Sequence, residues 1–368
     1  MESADRRASR TGAASRWRAT LTVAFSIALG LFLAEHAAAA VRGNAFPFLD
    51  VFEPDAELGV RLRAGADTRI RTFGGHITDV SINDEGFRGP AWPDSAEPSR
   101  PRILLVGDSQ VFGLHAQFDE TFAGLLGADA EVLDAAVPTY GPAEHVMLIE
   151  RLAPRWHPTH VVWLPYVGND WQEAPVPNAL RTTASADGFA TMVGARPPSG
   201  PWTLFPRSQL AFALRTLAGR ALEAHPPRAD ARLHLVEQAR ELRGAAGSPS
   251  RLAPFLDRAA AAAADNGAAF LLAAIPVDVE ADPSEWEKYH HTPVDTAAIA
   301  ALVDDLVEQA RARGIPAIDL LPPLRASEPG AFRDDDEHLS PAGHRVVADV
   351  LRDALIPRPL PSDEGADR

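Results

Sequence analysis

Cysteine is absent from the 368 residues of the chain. This absence excludes disulfide bonds, thiolate nucleophiles and zinc sites with thiolate ligands. Because cytoplasmic and exported proteins can both lack cysteine, the absence gives no indication of the redox compartment.

Lysine is almost absent as well. Lys288 is the only lysine among 35 basic residues, and the chain also has 32 prolines and many alanines. This composition indicates the codon bias of a GC-rich genome, and no function is inferred from it. The formal net charge is -15. Nucleic-acid binding is therefore not expected, because contacts with phosphates require a basic face.

Hydrophobic residues make up 46% and charged residues 23% of the chain. These proportions are typical of a globular protein and exclude disorder as the main state. They also exclude a membrane protein with many spans. The length predicts one large domain with additional segments.

The first 42 residues contain the one long apolar stretch. Five arginines lie within Met1–Arg18, and an uncharged run follows over Ala19–Ala34. The 23 residues between Arg18 and Arg42 just suffice to cross a bilayer core of roughly 30 Å as a helix. The basic flank predicts a cytoplasmic N-terminus. The apolar segment has two interpretations. It is either an uncleaved membrane anchor, which the sequence slightly favours, or a signal peptide that is cleaved near Ala37–Ala40.

Beyond this helix the sequence predicts a small β-rich segment at 43–100 and a large domain at 101–357. The large domain contains an insertion at 172–266, rich in proline at its start and then helical in pattern, which we expect to cap the functional site. An acidic tail at 358–368 is expected to be disordered.

Five short apolar runs in the large domain have no polar face, as do strands of a buried parallel sheet. The runs are Arg102–Val106, Glu131–Val137, His160–Pro165, Ala268–Ile275 and Ala317–Leu321. Between and after them lie segments with apolar residues at three- and four-residue spacing, as in amphipathic helices. This alternation predicts a three-layer α/β/α sandwich around a five-stranded parallel sheet.

Polar groups follow two of these runs and precede the last helix. Ser109 comes just after the first run, and Asn169 follows the third. His338 precedes the last predicted helix, with Asp335 three residues before it. Carboxyl ends of parallel strands are where α/β folds place reactive groups. A carboxylate that binds one imidazole nitrogen leaves the other free to act as a base.

Each of these signals alone is weak, since Gly-Asp-Ser and Gly-Asn-Asp are also common turn sequences. Their combination, in the order nucleophile, amide donor and acid–base pair, favours serine chemistry. The chain lacks the Gly-x-Ser-x-Gly sequence of the α/β-hydrolases. The acidic run Asp334–Glu337 lacks the alternation and glycine of a calcium loop. No metal and no cofactor are expected.

These segments resemble the SGNH (GDSL-type) hydrolases, and the resemblance extends from about Phe52 to Leu355. Gly107-Asp108-Ser109, Gly168-Asn169-Asp170 and Asp335-x-x-His338 resemble three of the family's blocks. Ser81–Gly89 is similar to a segment that precedes the nucleophile in membrane-anchored bacterial members, and His338–His344 to the family's closing stretch.

The resemblance implies an SGNH fold, which is flavodoxin-like, and a role for each matching residue. Ser109 would be the nucleophile, His338 the general base and Asp335 the residue that orients it. The backbone N–H of Ser109 and the side chain of Asn169 would donate to the oxyanion. Three neighbours are candidates for lining the pocket: Asp108, Asp170 and Trp171.

The second block of the family is altered in this chain. The family usually has Asn-x-Gly-Val-x-Gly-Tyr-Gly, whereas Asp134–Gly141 here reads Asp-Ala-Ala-Val-Pro-Thr-Tyr-Gly. Thr139 stands where the family has the glycine that donates its backbone N–H to the oxyanion, and Gly141 is the nearest remaining glycine. The third donor is therefore either Thr139 or Gly141.

We expect a serine esterase that hydrolyses short acyl or O-acetyl esters, with a small-molecule or glycan ester as substrate. One alternative is an O-acyltransferase acting on an envelope or exported polysaccharide. The other is a non-catalytic envelope binding protein. The expected location is outside the cytoplasm, anchored to the bacterial inner membrane, or secreted or periplasmic if the N-terminal segment is cleaved. The oligomeric state is left open.

Overall fold

The computed structural model describes residues 2–72, 74–94, 100–195, 205, 207–222, 231–242, 250–289 and 292–356. The predicted acidic tail at 358–368 lies outside these residues. The chain divides into two compact units. One comprises Met1–Phe46 and Pro197–Ala224, and the other comprises Pro47–Arg196 and His225–Arg368.

Eleven strands and twelve α-helices occur in the described residues. The strands are β1 (Phe52–Asp55), β2 (Gly59–Leu62), β3 (Asp67–Arg71), β4 (Ile77–Ser81), β5 (Arg102–Val106), β6 (Glu131–Asp134), β7 (His160–Trp163), β8 (Thr182–Ala184), β9 (Ala190–Met192), β10 (Ala269–Ala274) and β11 (Ala317–Asp319). The helices are α1 (Glu2–Arg42), α2 (Ser109–Phe112), α3 (Phe122–Leu126), α4 (Pro142–Trp156), α5 (Asp170–Glu173), α6 (Gln209–Leu222), α7 (Ala231–Leu242), α8 (Ala253–Asp265), α9 (Asp278–Ala281), α10 (Ala297–Ala312), α11 (Leu321–Ala326) and α12 (Pro341–Leu355). Short 3₁₀ helices cover Phe118–Glu120, Asn178–Leu180 and Pro283–Tyr289.

The larger unit is built on a five-stranded sheet in the order β11-β10-β7-β5-β6. Every pair in this sheet is parallel. The chain first pairs β5 with β6 and then crosses to β7 on the other side of β5. The strand order therefore reverses between β5 and β7, and ligands of open α/β sheets bind beside the carboxyl ends of strands at such a point.

Helices cover the sheet in two groups. α3 and α12 pack against each other, and α8 contacts both α4 and α10. Strand β5 is buried over its whole length, which explains why its sequence has no polar face. The predicted three-layer sandwich with a five-stranded parallel sheet is confirmed. Four strands are shorter than the apolar runs that predicted them: β6 ends at Asp134, β7 at Trp163 and β11 at Asp319, and β10 covers Ala269–Ala274. At the end of β6, the Asp134 carboxylate accepts a hydrogen bond from the Ala136 N–H and turns the chain.

The segment between α1 and the sheet forms two antiparallel ribbons, β1–β2 and β3–β4. A third ribbon, β8–β9, lies within the predicted insertion. The predicted insertion is divided between the two units, since 197–224 falls in the smaller one.

The smaller unit consists of α1 and α6. Among the described residues, Trp17–Arg42 is the one stretch of helix long and apolar enough to cross a membrane, which suits an anchor or a signal sequence. The Glu35 carboxylate accepts hydrogen bonds from the Ser208 hydroxyl at 2.5 Å and from the N–H groups of Gln209 at 2.7 Å and Leu210 at 3.1 Å. Glu35 thus caps the N-terminus of α6.

A buried arginine holds the turn after α2 in the larger unit. Arg88 is 1% exposed and donates hydrogen bonds to the carbonyls of Phe112, Gly113 and Ala116 at 2.6–2.7 Å. Burial lowers the pKa of Arg88 to about 10, which still leaves the guanidinium charged at neutral pH. Arg88 lies in the Ser81–Gly89 segment, and its contacts connect that segment to the helix that begins at Ser109.

We expect Arg88→Met to lower the free energy of unfolding by about 3 kcal/mol, because three buried carbonyls lose a charged donor. Urea unfolding followed by circular dichroism measures the change. Arg69→Met is the matched control, because Arg69 pairs with Asp79 at 2.6 Å while both side chains are more than half exposed. The control should cost at most about 1 kcal/mol. Equal losses in the two variants would contradict the structural role of Arg88.

Candidate active site

Ser109 lies at the carboxyl end of β5 as the first residue of α2. Gly107 makes the tight turn between them, since a Cβ there would lie 2.2 Å from a Val111 methyl and 2.9 Å from the Leu164 carbonyl. Asp108 caps α2 by accepting a hydrogen bond from the Gln110 N–H at 2.9 Å. The turn therefore presents the Ser109 hydroxyl at the edge where the strand order reverses.

His338 meets Ser109 across 229 residues of sequence. Its Nε2 lies 2.9 Å from the Ser109 Oγ, and its Nδ1 forms a hydrogen bond with the Asp336 carboxylate. A serine hydroxyl on one imidazole nitrogen and a carboxylate on the other form the arrangement of a catalytic triad.

The residue that binds His338 is Asp336, which corrects the prediction of Asp335. The same Asp336 oxygen accepts a hydrogen bond from the His338 backbone N–H at 3.0 Å, so this tight turn places the carboxylate beside the ring. Asp335 instead accepts hydrogen bonds from the Arg333 guanidinium at 3.0 Å and from the Gly74 N–H at 2.9 Å. The Asp-x-x-His spacing identified the loop, but the cation beside Asp335 draws that side chain away from the imidazole.

A second histidine, which no sequence pattern indicated, lies beside the same carboxylate. His115 Nε2 is 3.4 Å from the second oxygen of Asp336, and the His115 and His338 rings are nearly perpendicular with centroids 5.4 Å apart. His115 is 6% exposed, and burial lowers its pKa. A neutral His115 can thus donate to Asp336 without adding a charge.

The charges in this cluster determine the protonation of the imidazole. Burial alone would lower the pKa of His338, but Asp336, Glu337 and Asp108 together raise it above the ordinary value. Burial alone would raise the pKa of Asp336, but His338 and His115 hold it far below the usual range. Asp336 is therefore ionised at all ordinary pH values and stabilises the protonated form of His338.

Ligand atoms of His115, Asp336 and His338 lie within 4.8 Å of one another, a distance compatible with metal binding. In the structure, however, both ring nitrogens of His338 face protein partners, Ser109 and Asp336. A metal ion could bind His338 only by replacing one of these contacts. The geometry favours a proton-transfer site over a metal centre.

Asn169 is held beside the nucleophile turn. Its Nδ2 donates a hydrogen bond to the Asp108 carboxylate at 3.1 Å, and its Oδ1 is buried without a partner in the described part of the chain. The side chain of the residue before Ser109 thus orients the Asn169 amide.

Thr139 and Gly141 differ in the state of their backbone. Gly141 is the N-cap residue of α4, and its N–H donates to the Glu144 carboxylate at 3.2 Å, so it is already engaged. Thr139 has φ +84°, a left-handed conformation that is rare for a β-branched residue. The threonine thus adopts a conformation that a glycine would adopt without strain, and between the two residues the structure favours Thr139 as a donor.

Of the three candidates for lining the pocket, two are completely buried. Asp108 is 1% exposed, while Asp170 and Trp171 are 0% exposed. Asp170 accepts a hydrogen bond from the Tyr166 N–H at 2.8 Å, and burial raises its pKa well above the ordinary value. Trp171 packs in the hydrophobic core. The three residues support the site from within the fold.

Gln110 is another residue that sequence reasoning missed. Its side chain donates to the Glu337 carbonyl at 3.0 Å and accepts from the Leu339 N–H at 3.1 Å. These two contacts lie on either side of His338. The one signal in the sequence was that Gln110 directly follows Ser109. A buried amide at that position needs hydrogen-bond partners for both its N–H and its oxygen.

Residues 233–368 match the sequence family described as "SGNH hydrolase-like domain, acetyltransferase AlgX". The match confirms the resemblance to SGNH hydrolases for this part of the chain, which includes Asp336 and His338 but not Ser109. No curated protein has significant similarity to the chain.

Several solved structures are similar, all at low identity. A GDSL-like lipase from Bacteroides thetaiotaomicron is 11% identical, covering 72% of this chain and 91% of its own, with a TM-score of 0.38. A lipase/acylhydrolase from Enterococcus faecalis is 16% identical over 71% of this chain and 100% of its own, with a TM-score of 0.36. The psychrotrophic esterase EstA from Pseudoalteromonas sp. is 12% identical over 69% of this chain and 95% of its own, with a TM-score of 0.35.

We expect Asp336→Asn to slow the labelling of Ser109 by a fluorophosphonate on the order of 10³-fold or more, because the imidazole loses the charge that stabilises its protonated form. Labelling in the parent protein should increase with pH as His338 loses its proton, since only neutral His338 accepts the serine proton. Because the pKa of His338 is raised, this increase should come at higher pH than for an ordinary histidine. The increase should move to lower pH in the variant.

Asp335→Asn is the matched control for this experiment, as it removes the neighbouring charge but leaves His338 and its partner intact. Its labelling rate should stay within about tenfold of the parent rate. Timed labelling followed by intact-protein mass spectrometry gives both rates. A larger loss in Asp335→Asn than in Asp336→Asn would show that the wrong carboxylate has been assigned.

Proposed function

We propose that the chain is a serine esterase that hydrolyses short acyl or O-acetyl esters through an acyl-enzyme on Ser109. The observation that carries this proposal is the contact of Ser109 Oγ with His338 Nε2 at 2.9 Å while Nδ1 of the same ring binds Asp336. The proposal is also supported by hydrogen-bond donors beside Ser109, such as the Asn169 side chain, at the edge of the sheet where the strand order reverses.

In the first step, Ser109 Oγ attacks the ester carbonyl and His338 Nε2 takes the hydroxyl proton. Asp336 stabilises the imidazolium that results. His338 then gives the proton to the departing alkoxide, and the acyl group stays on Ser109. In the second step, His338 removes a proton from water and the hydroxide attacks the carbonyl of the acyl-enzyme. The bond between the acyl carbon and Ser109 Oγ then breaks, His338 returns the proton to Oγ, and the acid is released.

Three N–H groups are proposed to bind the developing oxyanion: the backbone of Ser109, the backbone of Thr139 and the side chain of Asn169. Donors that are already oriented lower the barrier because they need no rearrangement when charge develops. The Asp108 carboxylate supplies this orientation for Asn169.

The second candidate is an O-acyltransferase that passes the acyl group to a glycan hydroxyl. The match of residues 233–368 to a family described by an acetyltransferase favours it. Both reactions use the same first step and differ in whether water or a sugar attacks the acyl-enzyme. The third candidate, a non-catalytic binding protein, gives no reason for the contact between Ser109 and His338.

We also propose that the enzyme works outside the cytoplasm, attached to the bacterial inner membrane by α1. The capping of α6 by Glu35 supports a retained helix, because cleavage near Ala37–Ala40 would remove the cap. The Arg42 guanidinium, two turns further along α1, donates to the Gln209 side chain at 2.7 Å.

Hydrolysis of p-nitrophenyl esters from acetate to octanoate by the full-length protein in detergent tests the esterase. We expect turnover that is greatest for the short esters and that is lost in Ser109→Ala. In parallel assays, the enzyme is then given either an O-acetylated oligosaccharide alone or an unmodified oligosaccharide together with p-nitrophenyl acetate as the acetyl donor. Release of acetate from the first supports the esterase, whereas acetylation of the second, seen as a mass increase, supports the transferase. Equal rates for the parent and Ser109→Ala would rule out both.

We expect Asn169→Ala to lower kcat for p-nitrophenyl acetate on the order of 10²-fold with little change in KM, because the lost N–H acts on the transition state. Thr139→Gly is the matched variant, since it keeps the backbone N–H and removes the strained side chain. Its kcat should stay within about threefold of the parent value. A loss in Thr139→Gly as large as that in Asn169→Ala would argue against a backbone donor at this position.

A further inference from the structure

The only lysine of the chain lies behind the loop that carries Asp336 and His338. Lys288 is at the end of the 3₁₀ helix Pro283–Tyr289, and its side chain is 8% exposed. Its ammonium group donates hydrogen bonds to the carbonyls of Arg333 at 2.7 Å and Asp336 at 2.8 Å. These carbonyls belong to residues on the N-terminal side of His338 in the same loop.

Two carboxylates hold the ammonium group in place. Lys288 Nζ lies 2.8 Å from Asp278, whose side chain is fully buried, and also pairs with Glu285. Asp278 lies at the start of α9 and accepts a further hydrogen bond from the Tyr289 hydroxyl at 2.5 Å. The cation therefore ties the loop to α9 and the adjoining 3₁₀ helix, next to the sheet.

The geometry of this cluster explains why a lysine occurs here in an arginine-rich chain. Four oxygen atoms from four residues surround one nitrogen, and an ammonium group is a compact charge that can direct its donors to separate acceptors. A guanidinium group is planar and presents its donors in a fixed fork, which suits two acceptors in one plane. An arginine at position 288 would also bring a larger group into a buried space.

We propose that Lys288 is a positioning residue that fixes the Asp336–His338 loop against Ser109. The proposal rests on the esterase or transferase function given above. Lys288 contacts the carbonyl of Asp336 and not its carboxylate, so it acts on the placement of the loop. The catalytic groups themselves stay Ser109, His338 and Asp336.

Loop placement can be measured without any activity. The N–H groups of Arg333, His338 and Leu339 are hydrogen-bonded to the His338 carbonyl, to Asp336 and to Gln110 respectively. Hydrogen exchange of peptides that cover 333–339 therefore reports whether the loop keeps its contacts.

Lys288→Met and Lys288→Arg are compared with the parent protein for p-nitrophenyl acetate turnover, loop exchange and thermal unfolding. We expect kcat to decrease on the order of 10²-fold in Lys288→Met, with KM within about threefold, because a small misplacement of the base affects chemistry more than binding. Loop exchange should become faster. Lys288→Arg should keep the positive charge, but its kcat should stay below about a tenth of the parent value.

Arg325→Met is the matched control. Arg325 is also a cation that donates to a backbone carbonyl, that of Glu280 at 2.7 Å, but Arg325 is exposed and this carbonyl lies outside the loop. The control should lower thermal stability yet keep kcat within about twofold and leave loop exchange unchanged. A similar loss of kcat in Arg325→Met would show that Lys288 acts only through general stability.

Retention of parent kcat and parent loop exchange in Lys288→Met, or full activity in Lys288→Arg, would overturn the proposal. If the parent protein neither turns over esters nor is labelled at Ser109, the proposed function fails, and loop exchange alone then decides the role of Lys288. If Lys288→Met does not fold, Lys288→Arg gives the decision through the same two measurements.

Discussion

One glutamine side chain connects the two halves of the site. Gln110 follows Ser109 in the chain, and its amide binds the backbone on both sides of His338, at Glu337 and Leu339. Because Gln110 is 1% exposed, neither end of its amide can exchange its partner for water. The nucleophile and the base are thus fixed relative to each other by one residue that performs no chemistry.

The loop that carries His338 is held from other directions as well. Arg333 pairs with Asp335 and donates to the His115 carbonyl at 3.3 Å, while Asp335 accepts from the Gly74 N–H. These contacts give the neighbouring acidic residues separate tasks: Asp335 anchors the loop and Asp336 faces the imidazole. A run of acids that looks like one solvated turn in the sequence is therefore divided by the cations and amides around it.

The fold was largely predictable because its signals are local. Strand β5 has the ends that its apolar run predicts. Ser109, Asn169 and His338 could be placed on one edge because parallel strands end together. The partner of His338 could not be predicted, because the choice between Asp335 and Asp336 depends on Arg333 and Gly74, and Gly74 is distant in sequence. His115 was missed for the same reason.

Composition misled in one respect. The scarcity of lysine reflects a bias that acts on the whole chain, and no role for Lys288 follows from the bias itself. The structure shows what distinguishes this position: four oxygen atoms around one buried nitrogen. In a chain that otherwise uses arginine, a single lysine is informative, because it points to a local geometry that suits an ammonium group better than a guanidinium group.

The buried acids beneath the nucleophile turn explain how an amide can be aimed at an oxyanion. Burial raises the pKa values of both Asp108 and Asp170, and the charge of Asp108 raises that of Asp170 further. Two buried carboxylates this close would repel each other. One carboxyl group of the pair therefore stays protonated. Asp108 is the better anion, because it accepts hydrogen bonds from both the Gln110 N–H and the Asn169 amide, whereas one Asp170 oxygen has no partner in the described residues. An ionised Asp108 engages one of the two Nδ2 hydrogens of Asn169 and thereby directs the other. The charge that positions the donor is thus stabilised by the same turn that presents Ser109.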